Sequence, residues 1–260
     1  MNRFVLFMDV LGFSEMVQTN TESNIKQIYD SEFRQTASVT TCLSQSIFGR
    51  ALSLSSIETV GNKFNDIRQN EINLHLMSDS LIAWTDDASM ESFIIISQFA
   101  ATYSAVSLML GLPLRGAISV GELQLIELPF NGNNSRNVVG TGLIRAHQLE
   151  GCLNWSGVLI DGRCIEELGV SRAAVLQRSD LPVFEYDLSG LDRRENSGCG
   201  LVVDWPYCLT KIMQKHENSY IASQFSRHNK RIDNEGVQRK IVNTQNFFDS
   251  RRNAGIQAKN

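Results

Sequence analysis

The chain has 260 residues with a formal net charge of −4, and 42% of its residues are hydrophobic. This balance argues against a general nucleic-acid or anionic-membrane surface but allows a local basic pocket. The length and composition suit one large domain or a domain with an appendage. The five cysteines form no C-x-x-C pair, which predicts reduced thiols in the cytosol rather than disulfides or zinc ligands. One basic residue precedes a short apolar run that ends at Asp9, so we expect neither a secretory signal nor a membrane span.

The first motif is the stretch from Arg3 to Ser14, RFVLFMDVLGFS. Its apolar residues predict a strand that is buried on both faces and that ends near Asp9. Gly12 lets the chain reverse, and Ser14 is expected to cap a helix whose free N–H groups face the same space as Asp9. A carboxylate beside a helix N-terminus suits a cation placed between Asp9 and a bound anion, so the pattern favours a metal together with a phosphate.

A second carboxylate follows in EINLHLMSDSLIAWT, residues Glu71 to Thr85. Two alternating apolar stretches flank Ser78 and Asp79, which predicts a β-hairpin with Asp79 in its turn. If this hairpin pairs with the first strand, Asp79 lies next to Asp9. The two acids would then form a site for one or two divalent ions.

The remaining elements of the first half complete a β-α-β-β-α-β order. Apolar spacing predicts a long helix over 25–47, a loop or insertion over 53–70, a helix over 88–110 and, over 114–128, a strand or a hairpin with its bend at Gly121. This order is typical of an α+β fold of the ferredoxin-like or palm type with an antiparallel sheet. Helices would cover one face of the sheet and leave the other open for a partner or ligand.

The second half predicts additions to the same domain. We expect a polar loop over 131–137, a short helix over 140–149, strands over 156–160, 183–188 and 200–204, and a helix over 236–251. Residues 1–160 are therefore predicted to form the catalytic core. Residues 161–260 are predicted to form a C-terminal extension packed on that core, because the elements of the extension are too short to form a hydrophobic core of their own. The basic residues Arg227, His228, Lys230 and Arg231 are predicted to form a solvated helix face rather than a triphosphate or RNA site.

Three motifs in this order carry a resemblance to a known family. The segments FMDVLGFS, MSDSLIAW and LRGAISVGEL resemble motifs of the class III nucleotidyl cyclases, and VVGTGLIRAHQLEG resembles a fourth. Within that family the chain is most similar to the pyrimidine cyclases of bacterial Pycsar anti-phage systems. The resemblance implies an enzyme that converts UTP to 3′,5′-cyclic UMP and diphosphate, or CTP to cyclic CMP.

The resemblance also implies roles for individual residues. It makes Asp9 and Asp79 metal-binding carboxylates, with the Val10 carbonyl as a further ligand of two Mn²⁺ or Mg²⁺ ions. Arg115 would contact the triphosphate. The β- and γ-phosphates would be held by the backbone amides of Leu11, Gly12, Phe13 and Ser14. Such cations neutralise the α-phosphate and lower the pKa of the attacking ribose 3′-hydroxyl.

Two departures from the family bear on the substrate and on activity. His75 and Asn137 stand where purine cyclases carry the Lys and Asp that read the base, which favours a pyrimidine. Ile144 and Gln148 stand at the positions of the transition-state Asn and Arg, which leaves open a catalytically silent homologue that binds a nucleotide. A diguanylate cyclase is disfavoured because the hairpin reads MSDS. Each acid also has a purely structural alternative, Asp9 as a helix cap and Asp79 as a turn residue, while Arg115 would bridge to a carboxylate across a dimer interface.

The resemblance further implies partners and a setting. The chain is expected to be a cytoplasmic homodimer with its sites between protomers, binding neither nucleic acid nor membrane. Its product would be a second messenger of bacterial antiviral defence that a separate cyclic-nucleotide-binding effector senses.

Overall fold

The computed structural model describes the fold of residues 1–49, 53–56, 71–130, 133–190, 198–213 and 219–257. Its strands are β1 (Asn2–Val10), β2 (Ser53–Ser56), β3 (Glu71–Met77), β4 (Ser80–Trp84), β5 (Leu114–Glu122), β6 (Gln124–Phe130), β7 (Asn133–Val139), β8 (Val158–Ile160), β9 (Val183–Asp187) and β10 (Cys199–Val203). Its helices are α1 (Phe13–Thr19), α2 (Glu22–Ile28), α3 (Arg34–Phe48), α4 (Met90–Met109), α5 (Thr141–Gly151), α6 (Gly162–Leu168), α7 (Arg172–Leu176), α8 (Trp205–Ile212), α9 (Tyr220–Ser226) and α10 (Glu235–Gln257).

The main sheet has eight strands in the order β2-β3-β4-β1-β5-β8-β10-β9. Every pair of neighbours in it is antiparallel except β2 with β3 and β5 with β8. Within it, β3-β4-β1-β5 is the four-stranded order that a β-α-β-β-α-β chain makes in a ferredoxin-like fold. The predicted α+β fold with a mostly antiparallel sheet is confirmed.

One face of the sheet carries the main core because alternate residues of β1 point to it. Phe4, Leu6 and Met8 are fully buried there, and Phe4 lies 5.1 Å from Phe93 of α4 between ring centroids. In the described part of the chain α4 is the one helix long and apolar enough to cross a membrane. It is buried almost throughout against the sheet and other helices, as expected of a core helix.

The other face of the central strands is covered, so the prediction of an open face is wrong there. Val5 and Phe7 of β1 pack with Ile82 and Trp84 of β4 beneath α5. The close packing of α5 on β5 requires a glycine in each element, because a Cβ on Gly121 of β5 would lie 2.7 Å from the amide nitrogen of Gly142 in α5. The helix therefore rests directly on the backbone of β5.

The predicted helix over 25–47 is interrupted. It consists of α2 and α3 joined by a π-helical turn, Tyr29–Phe33, and the separate helix α1 precedes it. In the predicted insertion over 53–70, Ser53–Ser56 forms the edge strand β2, and 57–70 lie outside the described residues.

The predicted bend at Gly121 is wrong because β5 continues to Glu122 and the hairpin lies further on. The strands β6 and β7 pair as a separate two-stranded sheet. The predicted loop over 131–137 is therefore a strand from Asn133 onward, and 131–132 lie outside the described residues.

Late elements join the same sheet at the β5 edge. β8, β10 and β9 extend it, and α10 packs Phe247 against Trp155 and Trp205 at centroid distances of 4.2 and 5.6 Å. The predicted boundary between core and extension near residue 160 stays a prediction. The five cysteines are free, but only Cys164 and Cys208 are buried.

Candidate functional site

Three adjacent strands bring the predicted acids and Arg115 to one end of the sheet. Asp9 of β1 lies opposite Ser80 of β4 on one side and opposite Arg115 of β5 on the other. The Val10 amide donates a hydrogen bond to the Asp79 carbonyl at 3.2 Å, so the hairpin turn that carries Asp79 is bonded to the end of β1. Asp9, Asp79 and Arg115 are each half-buried. The structure thus brings together the three residues that sequence reasoning chose; their roles stay predictions.

Asp9 lies among groups of both signs. Its carboxylate accepts a hydrogen bond from the Ser80 hydroxyl at 3.2 Å and lies 3.8 Å from an Arg115 guanidinium nitrogen. Burial raises the pKa of Asp9 to about 6, helped by the negative charges of Asp79 and Glu150 and opposed by Arg115 and Ser80. Two acids this close repel each other, and a cation shared between them would remove that penalty.

Glu150, at the end of α5, is a member of the site that sequence reasoning missed. It is 3% exposed and forms an ion pair with the Arg115 Nε. Burial raises the pKa of Glu150, while Arg115 and His147 oppose that shift. The sequence did not mark it: the buried face of α5 consists of Gly142, Ala146 and Glu150, which form no apolar stripe, and only the structure shows that this carboxylate is buried and paired.

The turn after β1 has the shape that Gly12 permits. Gly12 has a φ of 79° and is the N-cap of α1, without a side-chain capping bond, so the prediction that Ser14 caps this helix is wrong. The Leu11 amide donates to the Pro113 carbonyl at 2.8 Å, which corrects its predicted role as a phosphate donor. Phe13 and Ser14 begin the helix, and amides in a first turn have no acceptor within their own helix. The expected phosphate donors are therefore Gly12, Phe13 and Ser14.

Tyr29 contacts the hairpin turn that carries Asp79, and this contact was not predicted from the sequence. Its hydroxyl donates to the Ser78 carbonyl at 2.9 Å. Ser78 has a φ of 56°, a left-handed conformation that is uncommon for a residue with a side chain. The bond from Tyr29 thus helps to hold the turn that carries Asp79.

The two predicted base-reading residues are not brought together. His75 lies on β3 opposite Ile82, two strands away from Asp9, and its Nδ1 is buried without a hydrogen-bond partner among the described residues. Asn137 lies on β7, opposite Ile126 in the separate two-stranded sheet, and is exposed. Within one chain, Asn137 does not belong to the sheet that carries Asp9.

The positions of the family's transition-state residues lie on the outer side of α5. Ile144 is 57% exposed and Gln148 is exposed too. Of the neighbouring donors, Arg145 donates to the Val120 carbonyl at 3.3 Å, and the His147 ring lies edge-on to Phe7 at 5.0 Å.

The donor set suits a hard divalent cation. Among the described residues no group of three or more His, Cys, Asp or Glu side chains is arranged to hold a metal ion. Asp9 and Asp79 supply two carboxylates, and oxygen donors of this kind match Mg²⁺ or Mn²⁺, which commonly complete their shell with water and substrate phosphate. The residues present therefore fit such an ion.

Comparison with known proteins finds similarity only at the level of structure. No protein-family model matches the sequence, and no curated protein sequence matches it. Among solved structures, the dimeric guanylyl cyclase domain of RhoGC from Blastocladiella emersonii is 10% identical with a TM-score of 0.46, over 78% of this chain and 95% of that one. The adenylyl cyclase CyaB from P. aeruginosa is 10% identical with a TM-score of 0.41, over 78% and 92%.

A third similar structure is the guanylate cyclase domain of RhGC from Catenaria anguillulae in complex with GTP. It is 10% identical with a TM-score of 0.43, over 77% of this chain and 93% of that one. These identities and TM-scores are too low to support an argument about function.

Proposed function

We propose that the chain is a nucleotidyl cyclase that converts UTP to 3′,5′-cyclic UMP and diphosphate. The observation that carries the proposal is the strand register that places Asp9 beside both Arg115 and the Asp79 turn, next to the left-handed turn at Gly12. Two acids, one guanidinium and a row of backbone donors are the groups that a metal-bound triphosphate requires.

The side chains divide the work as follows. Asp9 and Asp79, with the Val10 carbonyl, would hold one or two Mn²⁺ or Mg²⁺ ions. When bound, such ions neutralise phosphate charge and lower the pKa of the ribose 3′-hydroxyl. Arg115 offers N–H donors to the triphosphate, and Glu150 holds its guanidinium in place. The amides of Gly12, Phe13 and Ser14 donate to the β- and γ-phosphates. The 3′-hydroxyl would lose its proton to water as its oxygen bonds the α-phosphorus, and the bond from that phosphorus to the bridging oxygen would break to release diphosphate.

The choice of base rests on the sequence resemblance. His75 and Asn137 replace a charged pair by neutral groups, which suits a pyrimidine, and we place UTP ahead of CTP. The resemblance implies a homodimer with sites shared between protomers, and the position of Asn137 outside the sheet that carries Asp9 is consistent with this arrangement. The cytoplasmic setting, the antiviral role and the separate effector belong to the same proposal.

A second candidate is a catalytically silent homologue that binds the nucleotide and regulates a partner. It is favoured by Ile144 and Gln148, neither of which can do the work of the Asn and Arg that stand at these positions in the family. Retention of both acids and of Arg115 argues for the enzyme.

The test is to incubate the purified protein with UTP, CTP, ATP or GTP separately, in the presence of Mn²⁺ or Mg²⁺, and to identify the products by chromatography and mass. Cyclic UMP from UTP alone supports the proposal. Formation of cyclic CMP from CTP alone would make CTP the substrate instead of UTP. Formation of cyclic purine nucleotides would refute the pyrimidine assignment. Binding of a triphosphate without turnover would favour the silent homologue.

A further inference from the structure

The segment Arg227–Arg231, which we name the C-terminal strap, is hydrogen-bonded to the C-terminal end of α4 and the residues after it. Arg227 donates to the Met109 carbonyl at 2.5 Å, and the His228 Nε2 lies 2.7 Å from the Leu110 carbonyl. Lys230 donates from Nζ to the Gly111 carbonyl at 2.6 Å. Three successive carbonyls that the helix leaves unpaired are thus met by basic side chains. The prediction that these residues form a solvated helix face is wrong.

The same strap is fastened to α1 and the residue after it. Asn20 donates to the His228 carbonyl at 2.7 Å and accepts from the Asn229 side chain at 2.9 Å, while Arg231 pairs with Glu15. His228 and Asn229 both have a φ of 59°. Two consecutive left-handed residues are costly and persist only where their surroundings hold them.

Lys230 connects the strap to the turn at Gly12. The side chain is 6% exposed, and a Cβ on Gly12 would lie 3.1 Å from the Lys230 Cδ, so its aliphatic stem lies directly against the glycine. Its ammonium group bonds Gly111, two residues before Pro113, whose carbonyl accepts from the Leu11 amide. Lys230 therefore touches the turn that follows Asp9 and bonds the turn that precedes Arg115.

This placement of an ammonium group costs stability. Burial, and then the positive charge of Arg227, lower the pKa of Lys230 to about 7. Among the described residues no carboxylate lies within ion-pair distance of it. The charged groups around the adjacent cavity of about 380 Å³ have both signs: Glu15, Arg231, Asp233 and Lys240. A buried cation held by one carbonyl is better explained by a role at the neighbouring turn than by stability.

We propose that Lys230 is a positioning residue for the phosphate-binding turn. Its stem presses on Gly12 and keeps the turn left-handed, so that the amides of Gly12, Phe13 and Ser14 point at one phosphate group. Its bond to Gly111 keeps this turn in register with Arg115. The inference rests on the proposed function, because the ligand of the turn is the triphosphate of the substrate.

The test compares UTP with UMP, which lacks the β- and γ-phosphates that the turn is proposed to hold. Calorimetric titrations with Mg²⁺ present would measure both affinities for the wild type, Lys230→Met and the control Lys26→Met, whose side chain is exposed on α2. We expect Lys230→Met to weaken UTP binding by about tenfold, the worth of one charge-assisted hydrogen bond, and to leave UMP binding unchanged. Lys26→Met should alter neither affinity.

A second variant disturbs the strap without changing Lys230. Gly111 has a φ of 81°, and a Cβ on it would lie 2.5 Å from the Arg227 Cβ. Gly111→Ala therefore strains this turn and displaces Arg227, and it should give the same selective loss of UTP binding. Equal weakening of UTP and UMP, or unchanged UTP binding in both variants, would overturn the positioning role. A wild type that binds no triphosphate would instead refute the proposed function, and the inference with it.

Discussion

Arg115 lies between two carboxylates of different character. Asp9 is half-buried and 3.8 Å away, whereas Glu150 is buried and in direct contact with the guanidinium. A guanidinium held by a buried carboxylate keeps its remaining donors aimed in one direction, which is what a phosphate ligand requires. We therefore expect Glu150 to act through Arg115.

Glu150→Gln tests this assignment at the level of the residue. The amide keeps the shape but removes the charge that holds Arg115, so we expect kcat/KM for the triphosphate to fall by about tenfold or more, as for lost supporting contacts in other sites. The melting temperature should also fall, because the half-buried Arg115 guanidinium loses its buried partner. Steady-state kinetics and thermal melts would measure both.

The matched control is Glu235→Gln, which breaks an exposed pair with Arg239 on α10. It should change neither quantity, since exposed pairs contribute little. An unchanged kcat/KM in Glu150→Gln would show that the pair of Glu150 and Arg115 has only a structural role.

At the level of elements, α5 carries Glu150 to Arg115 and packs directly against the backbone of β5. The contact between Gly121 and Gly142 sets the distance between α5 and β5, and Gly142 also abuts Val5 of β1. A methyl group at this contact has no space, so it must push the helix that carries Glu150 away from the sheet.

Gly121→Ala is therefore expected to destabilise the protein by about 1–3 kcal/mol, the usual cost of overpacking, and to lower kcat/KM. Urea denaturation and kinetics would measure the two effects. In the control Gly162→Ala, nothing lies within 4 Å of the new methyl group, and both quantities should stay near those of the wild type. A stable, fully active Gly121→Ala would show that the closeness of α5 has no functional role.

Elements with strong local patterns could be predicted from the sequence. β1, the hairpin around Asp79 and α4 follow from apolar spacing with a glycine or a turn at their ends. The proximity of Asp9 and Asp79 was predicted only on the condition that the hairpin pairs with β1, and the structure shows this pairing. Contacts made by small or charged residues could not be predicted. The buried face of α5 is Gly142, Ala146 and Glu150, which gives no apolar stripe, and Lys230 meets Gly111 across 119 positions of sequence.

At the level of the whole molecule, the buried ammonium of Lys230 makes stability depend on pH. Its pKa is about 7 in the folded chain against 10.5 for an unperturbed lysine, so between these values the unfolded chain binds more protons. The free energy of unfolding therefore rises with pH in this window, and Lys230 contributes up to about 1.4 kcal/mol per pH unit to that rise. Below this pH window the lysine is charged in both states, and the full cost of burying its charge lowers the stability.

Other buried groups also titrate, so the contribution of Lys230 is isolated by the difference in unfolding free energy between the wild type and Lys230→Met. Unfolding free energies of the wild type and Lys230→Met, measured by denaturant between pH 6 and 10, should converge as pH rises, with Lys230→Met the more stable at the acidic end. A constant difference across this range would show that Lys230 titrates normally in the folded chain.

The central claim is that Asp9 and Asp79 form one catalytic site with Arg115. Its most direct test is turnover of UTP by the wild type and by Asp9→Asn, followed as diphosphate release and cyclic UMP formation, with thermal melts of both proteins. We predict turnover by the wild type and none by Asp9→Asn, whose melting temperature should not fall because the substitution removes a charge that repels Asp79 and Glu150. Undiminished turnover by a folded Asp9→Asn, or the absence of cyclic product from the wild type, would contradict the claim.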